Sequence, residues 1–266
     1  MAKWFQTGYE SATDAYESAG GDDAAFTKRE TRRHWQPPNT TNRLLFLDDD
    51  PFVFFEHKMC INGSWKNFEP CKVRNKMEEE CAVCDHNEST TKKSYPKFTG
   101  LHTIINMTPW TSKKGNVYNY AREIFPALMG TEKRGGVLRK LARLKKQHGR
   151  LRGLVFDVER SGEQSEGCGD DFILVHELDP DAIDAARDKA MAKFVGEVNA
   201  NLPASKQVKV ETLLKYNPWE PIDFEEEIVP RTNAQLRKLL SGGNDRDHGG
   251  GDGESSSDYA DDDIPF

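Results

Sequence analysis

The order of apolar and polar positions predicts a β-rich region followed by a helical one. Short runs rich in Leu, Phe and Val are typical of strands, and they begin at Arg43 (RLLFLDD) and at Pro51 (PFVFFEHKMCI). Asn62-Gly63 predicts a two-residue hairpin turn, because a type I′ turn needs positive φ at both central residues. The turn places SWKNFEPC on the returning strand. Further strands are predicted in LHTIINMTPW, VYNYAREIF, GLVFDVERS and DFILVHELD.

Helices are predicted within residues 126–150 and from Asp179 onward. In the first segment apolar residues share one helical face and basic residues take the others, and Gly149 ends the helix. Asp179 as N-cap and Pro180 at the first position begin the second helix. Shorter helices are predicted in SKQVKVETLLKY and EEEIVPRTNAQLRKLL. These patterns predict a mainly β fold with added helices, in the α+β class.

The two ends of the chain have a different composition. Residues 1–25 mix aromatic, small and acidic residues, which predicts a mobile arm, and a basic segment follows it. Gly, Ser and Asp dominate residues 242–266, which carry eight acidic residues and predict a disordered tail. The tail ends in an apolar tip, as expected of a C-terminal peptide ligand. The tip consists of Asp261, Asp262, Asp263, Ile264, Pro265 and Phe266.

The net charge of −7 is unevenly distributed over the 266 residues. Residues 26–152 hold 25 Lys and Arg against 13 Asp and Glu, whereas residues 153–266 hold 11 against 26. A basic body joined to an acidic remainder predicts a polyanion-binding domain with a separate interaction or autoinhibitory segment. The alternative is a charged surface that serves only to solvate the protein.

The apolar runs and the cysteines indicate a soluble, cytoplasmic protein. No apolar run approaches the ~20 residues that span a bilayer, and the N-terminus lacks the pattern of a secretion signal. Five cysteines, an odd number with one tight pair, favour metal binding over disulfides. We predict that Cys168 is a free thiol.

A candidate metal site lies between His57 and Cys84. Thirteen residues separate His57 from Cys71, nine separate Cys71 from Cys81, and two separate Cys81 from Cys84. Cys thiolates and His nitrogens are the ligands of structural zinc, which closes its tetrahedral site with four of them. Cys60 and His86 compete as ligands. Cys60 lies three positions after His57, which on a strand places it on the opposite face.

Basic residues next to aromatic ones favour a single-strand nucleic-acid binder over a duplex reader. Such proteins combine a basic groove with rings on which bases stack, commonly on a barrel-like fold. Stacked rings are equally consistent with an ordinary hydrophobic core. The candidate contact residues are Arg74, Lys92, Lys93, Tyr95, Lys97, Phe98, Lys113, Lys114, Tyr118, Tyr120 and Arg122.

The sequence offers no positive case for an enzyme. Four close metal ligands leave no position for a catalytic water. The zinc deaminase pattern, the phosphate-binding glycine loop, G-x-S-x-G and H-E-x-x-H are missing from the sequence. The acidic cluster Glu78–Glu80 is expected to be a solvated loop.

Two motifs resemble known families. The H-x13-C-x9-C-x2-C stretch, with GNVYNYAREIF and RLRGLVFDVERSG after it, resembles the zinc-containing single-stranded DNA-binding proteins of T-even phages over residues 43–178. That family's motif has one residue fewer after the histidine. The end, DDDIPF, looks like the C-terminal tip of bacterial single-stranded DNA-binding proteins, which recruits replication and repair enzymes.

The resemblance implies an OB-fold-like five-stranded barrel with an inserted zinc subdomain, at about residues 55–95. It assigns structural zinc to His57, Cys71, Cys81 and Cys84. It also matches Tyr118 and Tyr120 to a groove aromatic pair and Lys92, Lys93 and Arg122 to groove basic positions. Arg29, Arg32 and Arg33 are the candidates for an arm that supports cooperative binding. The expected domains are an arm with a basic segment (1–40), the core (41–180), helices packed on the core (181–241) and the acidic tail (242–266).

The predicted function is to coat single-stranded DNA without sequence preference in phage replication, recombination and repair. The expected partners are single-stranded DNA, enzymes that bind the acidic tip, and copies of the protein along the DNA, with no membrane. A phage-encoded chain would act in the bacterial cytoplasm. The alternative is a zinc-bearing adaptor in recombination or transcription, for which DNA contact is incidental.

Overall fold

The computed structural model of the chain describes residues 31–61, 64–111, 117–130, 136–200, 210 and 219–241. Within these residues the strands are β1 (Thr40–Phe46), β2 (Phe52–Ile61), β3 (Ser64–Pro70), β4 (Lys97–Asn106), β5 (Trp110–Thr111), β6 (Val117–Tyr118), β7 (Ala121–Leu128), β8 (Leu154–Arg160) and β9 (Asp171–Glu177). The helices are α1 (Ala82–Ser89), α2 (Val137–His148), a 3-10 turn (Pro180–Ala182) continued by α3 (Ile183–Asn199), α4 (Phe224–Glu227) and α5 (Asn233–Leu240).

The predicted α+β class is confirmed. Seven strands form one mostly antiparallel sheet in the order β3-β2-β4-β1-β8-β9, with β7 also paired to β4, and β5 and β6 form a separate pair. The resemblance implied five strands closed into a barrel. In the part of the chain that the structure describes, the sheet has seven strands, and the order ends at β3 and β9 without a pairing that joins them.

The described chain divides into two compact units. The large unit holds residues 31–52, 100–200, 210 and 219–222, and the small unit holds residues 53–99 and 223–241, in each case as far as they are described. The segment 181–241, which was predicted as one helical region, contributes described residues to both units. Its first helix, α3, belongs to the large unit, whereas α5 belongs to the small unit.

The core of the large unit covers both faces of β1. Alternate side chains of a strand point to opposite faces. On one face the ring of Phe46 meets Phe125 and Phe156 edge to face, with centroids 5.4 and 5.8 Å apart. On the other face Leu45 and Leu47 belong to a buried cluster with residues of α3. The run Leu44–Leu47 is therefore apolar at every position, because neither face meets water.

Residues that precede β1 are also fixed in the large unit. Ile124 on β7 donates its N–H to the carbonyl of Arg32 (2.8 Å) and accepts from the N–H of His34 (2.7 Å). The His34 ring lies 2.6 Å from the buried carboxylate of Glu123. The end of the segment that was expected to be an arm is thus joined to β7. Residues 1–30, including Arg29, lie outside the described residues.

The helix expected within residues 126–150 is shorter than predicted. The strand β7 continues to Leu128, and α2 begins only at Val137. Pro126 lies inside β7, where a residue without an N–H is tolerated if that side of the strand needs no ladder bond. Gly149 ends α2 in the left-handed conformation, with φ of 77°, as predicted.

Candidate metal centre

The small unit brings the four predicted ligands together. The ligand atoms of His57, Cys71, Cys81 and Cys84 all lie within 4.8 Å of one another. The Sγ atoms of Cys71 and Cys84 are 3.8 Å apart, and His57 Nε2 lies 3.6 Å from Cys81 Sγ and 3.5 Å from Cys84 Sγ. The cluster could therefore hold a metal ion. Cys60 and His86, the competing candidates, are not part of the cluster found in the described residues.

These three distances fit a tetrahedral ion. Bonds of about 2.3 Å to sulfur and about 2.0–2.1 Å to nitrogen place two sulfurs about 3.8 Å apart and a sulfur about 3.6 Å from a nitrogen in a regular tetrahedron. A disulfide would instead need an S–S distance of about 2.05 Å. All five cysteines are free thiols, which includes Cys168 as predicted.

Local structure explains how ligands distant in sequence converge. His57 lies on β2 opposite Glu69 on β3, and Cys71 follows the last residue of β3. Ile61 pairs with Ser64, as a two-residue turn requires, although Asn62 and Gly63 themselves lie outside the described residues. Cys81 is the N-cap of α1 and Cys84 lies in its first turn. The positive end of a helix dipole stabilises thiolates at such positions.

The hydrogen bond at His57 Nδ1 leaves Nε2 to face the cysteine sulfurs. His57 is fully buried, and its Nδ1 lies 2.6 Å from the backbone carbonyl of Ser94. A carbonyl only accepts, so Nδ1 carries the hydrogen, and Nε2 directs its lone pair toward Cys81 and Cys84. Metal-binding histidines commonly donate their other N–H to a carbonyl in this way, which fixes the ring.

The sulfurs compete for protons. A hydrogen bond from Cys71 lowers the pKa of the Cys81 thiol to about 3, and the contact with His57 adds to this. Burial and the charge of Cys81 raise the pKa of Cys84 to about 11, and the hydrogen bond with Cys81 and burial raise the pKa of Cys71 above its ordinary value. One thiolate therefore suppresses ionisation of the other two. A divalent cation between the sulfurs reverses this effect, because it stabilises all three thiolates.

The predicted nucleic-acid residues of the small unit are mostly exposed. Lys92, Lys93, Lys97 and Arg74 are exposed, and Tyr95 is 64% exposed. Phe98 differs from them. Its ring is half-buried and packs edge to face on Phe55, with centroids 5.1 Å apart.

The predicted residues of the large unit are more constrained. The half-buried Tyr120 has a φ of 53° and packs against Trp219, with ring centroids 5.9 Å apart. The guanidinium of Arg122 donates to the carbonyl of Glu220 over 3.4 Å. The backbone of Tyr118 lies in β6, but its side chain is outside the description.

The remaining candidates are the arm residues, which precede β1, and residues of segments outside the described part of the chain. The guanidinium of Arg32 lies 3.7 Å from the ring centroid of Trp110, and Arg33 forms an isolated bridge with Ile124. Lys113 and Lys114 lie outside the described residues, as does the tip at residues 261–266.

The contribution of residues 223–241 to this unit was missed by sequence reasoning. Leu236 on α5 is fully buried in one apolar cluster with Cys71 and Cys81. Thr232 and Gln235 form a capping box, a signal that is readable in the sequence and that marks where α5 begins. Nothing in the sequence shows, however, which surface the apolar side of α5 contacts.

None of the helices in the described part of the chain is both long and apolar enough to cross a bilayer. Comparison of the chain with family models, with curated proteins and with solved structures found no match.

Proposed function

We propose that the cluster binds Zn²⁺ as a structural ion and that the protein binds single-stranded DNA without sequence preference. The observation that carries this proposal is the hydrogen bond from His57 Nδ1 to the carbonyl of Ser94. Ser94 lies between the exposed pairs Lys92-Lys93 and Tyr95-Lys97, so a metal ligand directly positions the basic and aromatic loop.

Other contacts fix the same loop from inside. Ser94 donates its N–H to the side-chain oxygen of Asn87 (2.7 Å), and its carbonyl also accepts from the Asn87 amide (3.0 Å). Asn87 is buried on α1, the helix that begins with Cys81. Zinc thus acts on the loop from two sides, through His57 and through α1. A loop ordered in advance binds more tightly, because it loses less entropy on binding.

The loop has the composition that single-strand binding needs. No acidic residue occurs between Ser89 and Gly100, whereas Lys92, Lys93 and Lys97 are available to phosphates. Tyr95 offers a ring to a base, and such stacking contributes roughly 1–3 kcal/mol per base with little regard to sequence. Phe98 and Tyr120 are already packed against other rings, so Tyr95 is the main stacking candidate among the predicted aromatic residues whose side chains are described.

The finer features of the proposal come from sequence and resemblance. We assign the sheet to an OB-like arrangement and propose that the ion has no catalytic role, because four protein ligands fill a tetrahedral site. The excess of Lys and Arg in residues 26–152 suits a polyanion, and the acidic tail with its DDDIPF end suits recruitment of replication and recombination proteins. Action in the host cytoplasm follows from the same resemblance.

Titration of the full chain with oligo-dT, followed by Trp and Tyr fluorescence, tests the proposal. We expect quenching with several nucleotides per protein and an affinity that falls steeply with salt. Lys92→Ala and Lys93→Ala should each weaken binding and reduce the salt slope by about 1. Lys189→Ala, an exposed lysine on α3, is the matched control and should change neither. Absence of salt-sensitive quenching would contradict the proposal and favour the adaptor.

A further inference from the structure

The C-terminal part of the described chain forms hydrogen bonds with residues next to the candidate metal ligands Cys81 and Cys84. We call residues 231–241 the strap; they include α5. The side-chain oxygen of Asn233 accepts from the N–H of Ala82 (2.9 Å), which lies between the ligands Cys81 and Cys84. The Asn233 amide also donates to Glu78 Oε2 (2.6 Å) and to the carbonyl of Glu80 (3.3 Å). One side chain therefore bonds both to the loop that precedes Cys81 and to the start of α1.

Apolar packing joins the strap to the ligands themselves. Leu236 is 0% exposed and shares its cluster with Met59, Cys71, Cys81 and Val83. Two ligand cysteines are thus shielded from water on one side by a residue more than 150 positions later in the chain. Exclusion of water around a metal site strengthens its electrostatic interactions and limits access of competing ligands.

A partly buried ion pair fixes the beginning of the strap. Arg231 donates its backbone N–H (2.8 Å) and its guanidinium (2.9 Å) to the carboxylate of Glu69, which is 1% exposed. Glu69 pairs with His57 across the β2–β3 ladder and lies two residues before Cys71. The strap therefore contacts both pieces of chain that supply ligands, the β2–β3 hairpin and the start of α1, and also the loop between them.

We propose that the strap is a part of the metal centre, in which Asn233 and Leu236 act as positioning residues. Metal binding and docking of the strap stabilise each other. The inference rests on the proposed metal site and adds to it a dependence on the C-terminal segment. Such coupling is reciprocal. Loss of the strap therefore lowers the metal affinity, and loss of the metal lowers the equilibrium constant for docking of the strap by the same factor.

The first test measures metal affinity in the full chain, with Co²⁺ absorption as the report on tetrahedral thiolate coordination and a chromogenic chelator as the competitor. Asn233→Ala and Leu236→Ala should each lower metal affinity about 10-fold or more, as outer contacts of metal ligands do. Leu138→Ala removes another buried leucine, from α2 in the large unit, and should leave affinity unchanged.

The second test uses the unaltered chain and does not depend on a variant that folds. Chelation of the metal should speed hydrogen exchange of the α5 amides at residues 237–240, while the α2 amides at residues 141–148 stay protected. Two results would overturn the coupling. One is equal metal affinity in Asn233→Ala, Leu236→Ala and Leu138→Ala. The other is a hydrogen-exchange rate in α5 that is the same with and without the metal. A wild-type chain that binds no metal would instead refute the metal site on which the inference rests.

Discussion

In the large unit, the run from Leu44 to Leu47 at the end of β1 is buried on both faces, by aromatic rings on one side and by α3 on the other. In the small unit, the buried cluster around Leu236 has six members, and two of them are the candidate metal ligands Cys71 and Cys81. Continuous apolar burial stabilises the first unit, whereas the second combines a small core with ligands and polar pairs. We therefore expect the two units to respond to different perturbations.

Metal removal should have the largest effect and should be confined to the small unit. Apparent binding energies of about 10–16 kcal/mol are typical of structural zinc in small domains, more than a small apolar cluster supplies. With chelator, or in Cys81→Ser, residues 53–61 and 64–99 should lose hydrogen-exchange protection while β1 and β8 keep it.

Cys60→Ser is the control for this experiment. Cys60 lies on β2, half-buried, close in sequence to His57 but outside the cluster. It should retain both metal and protection. If the small unit stayed protected after chelation, its apolar cluster would be sufficient for folding and the comparison would be wrong.

The converse perturbation is Phe46→Ala. Phe46 is fully buried and contacts Phe125, Phe156 and His102. Its truncation should lower the free energy of unfolding of the large unit by about 3–5 kcal/mol. Urea unfolding measures this loss, and metal stoichiometry should not change. Ile173→Ala, on the exposed side of β9, is the matched control and should cost much less. A loss of metal in Phe46→Ala would show that the units are not independent.

A smaller effect is the dependence of the large unit's stability on pH. His102 is fully buried, and within the described residues neither ring nitrogen has a hydrogen-bond partner. Burial lowers its pKa to about 4, from an ordinary value near 6.5. Between these values the unfolded chain binds a proton that the folded chain does not. Stability of the large unit should therefore fall as pH drops from about 6.5 to about 4, by up to about 3 kcal/mol.

His102→Phe should remove this component of the pH dependence, as measured by urea unfolding at pH 7 and pH 4.5. Asp48 acts in the opposite direction, because burial raises its pKa to about 6 and the folded chain then holds a proton that the unfolded chain has lost. Asp48→Asn should accordingly steepen the loss on acidification. An unchanged pH dependence in His102→Phe would mean that the pKa of His102 is the same in the folded and the unfolded protein, which contradicts the prediction.

What could be predicted from sequence is local. The candidate ligand set follows from the spacing and types of the residues. Gly149 ends α2 because the left-handed backbone conformation costs glycine less free energy than it costs other residues. The packing of rings and of α5 could not be predicted. Tyr120 and Phe98 resemble exposed stacking residues in sequence, yet each packs on another ring, because burial depends on residues far along the chain. The same holds for Asn233, whose partner Ala82 lies 151 positions away.

The central claim is that the metal fixes the loop from Lys92 to Lys97 for binding of single-stranded DNA. The most direct measurement is the oligo-dT affinity of the full chain loaded with zinc, treated with chelator, and reloaded. We expect salt-sensitive binding that is lost on chelation and restored by zinc. Equal affinity in all three states, with the small unit unfolded by the chelator, would contradict the account.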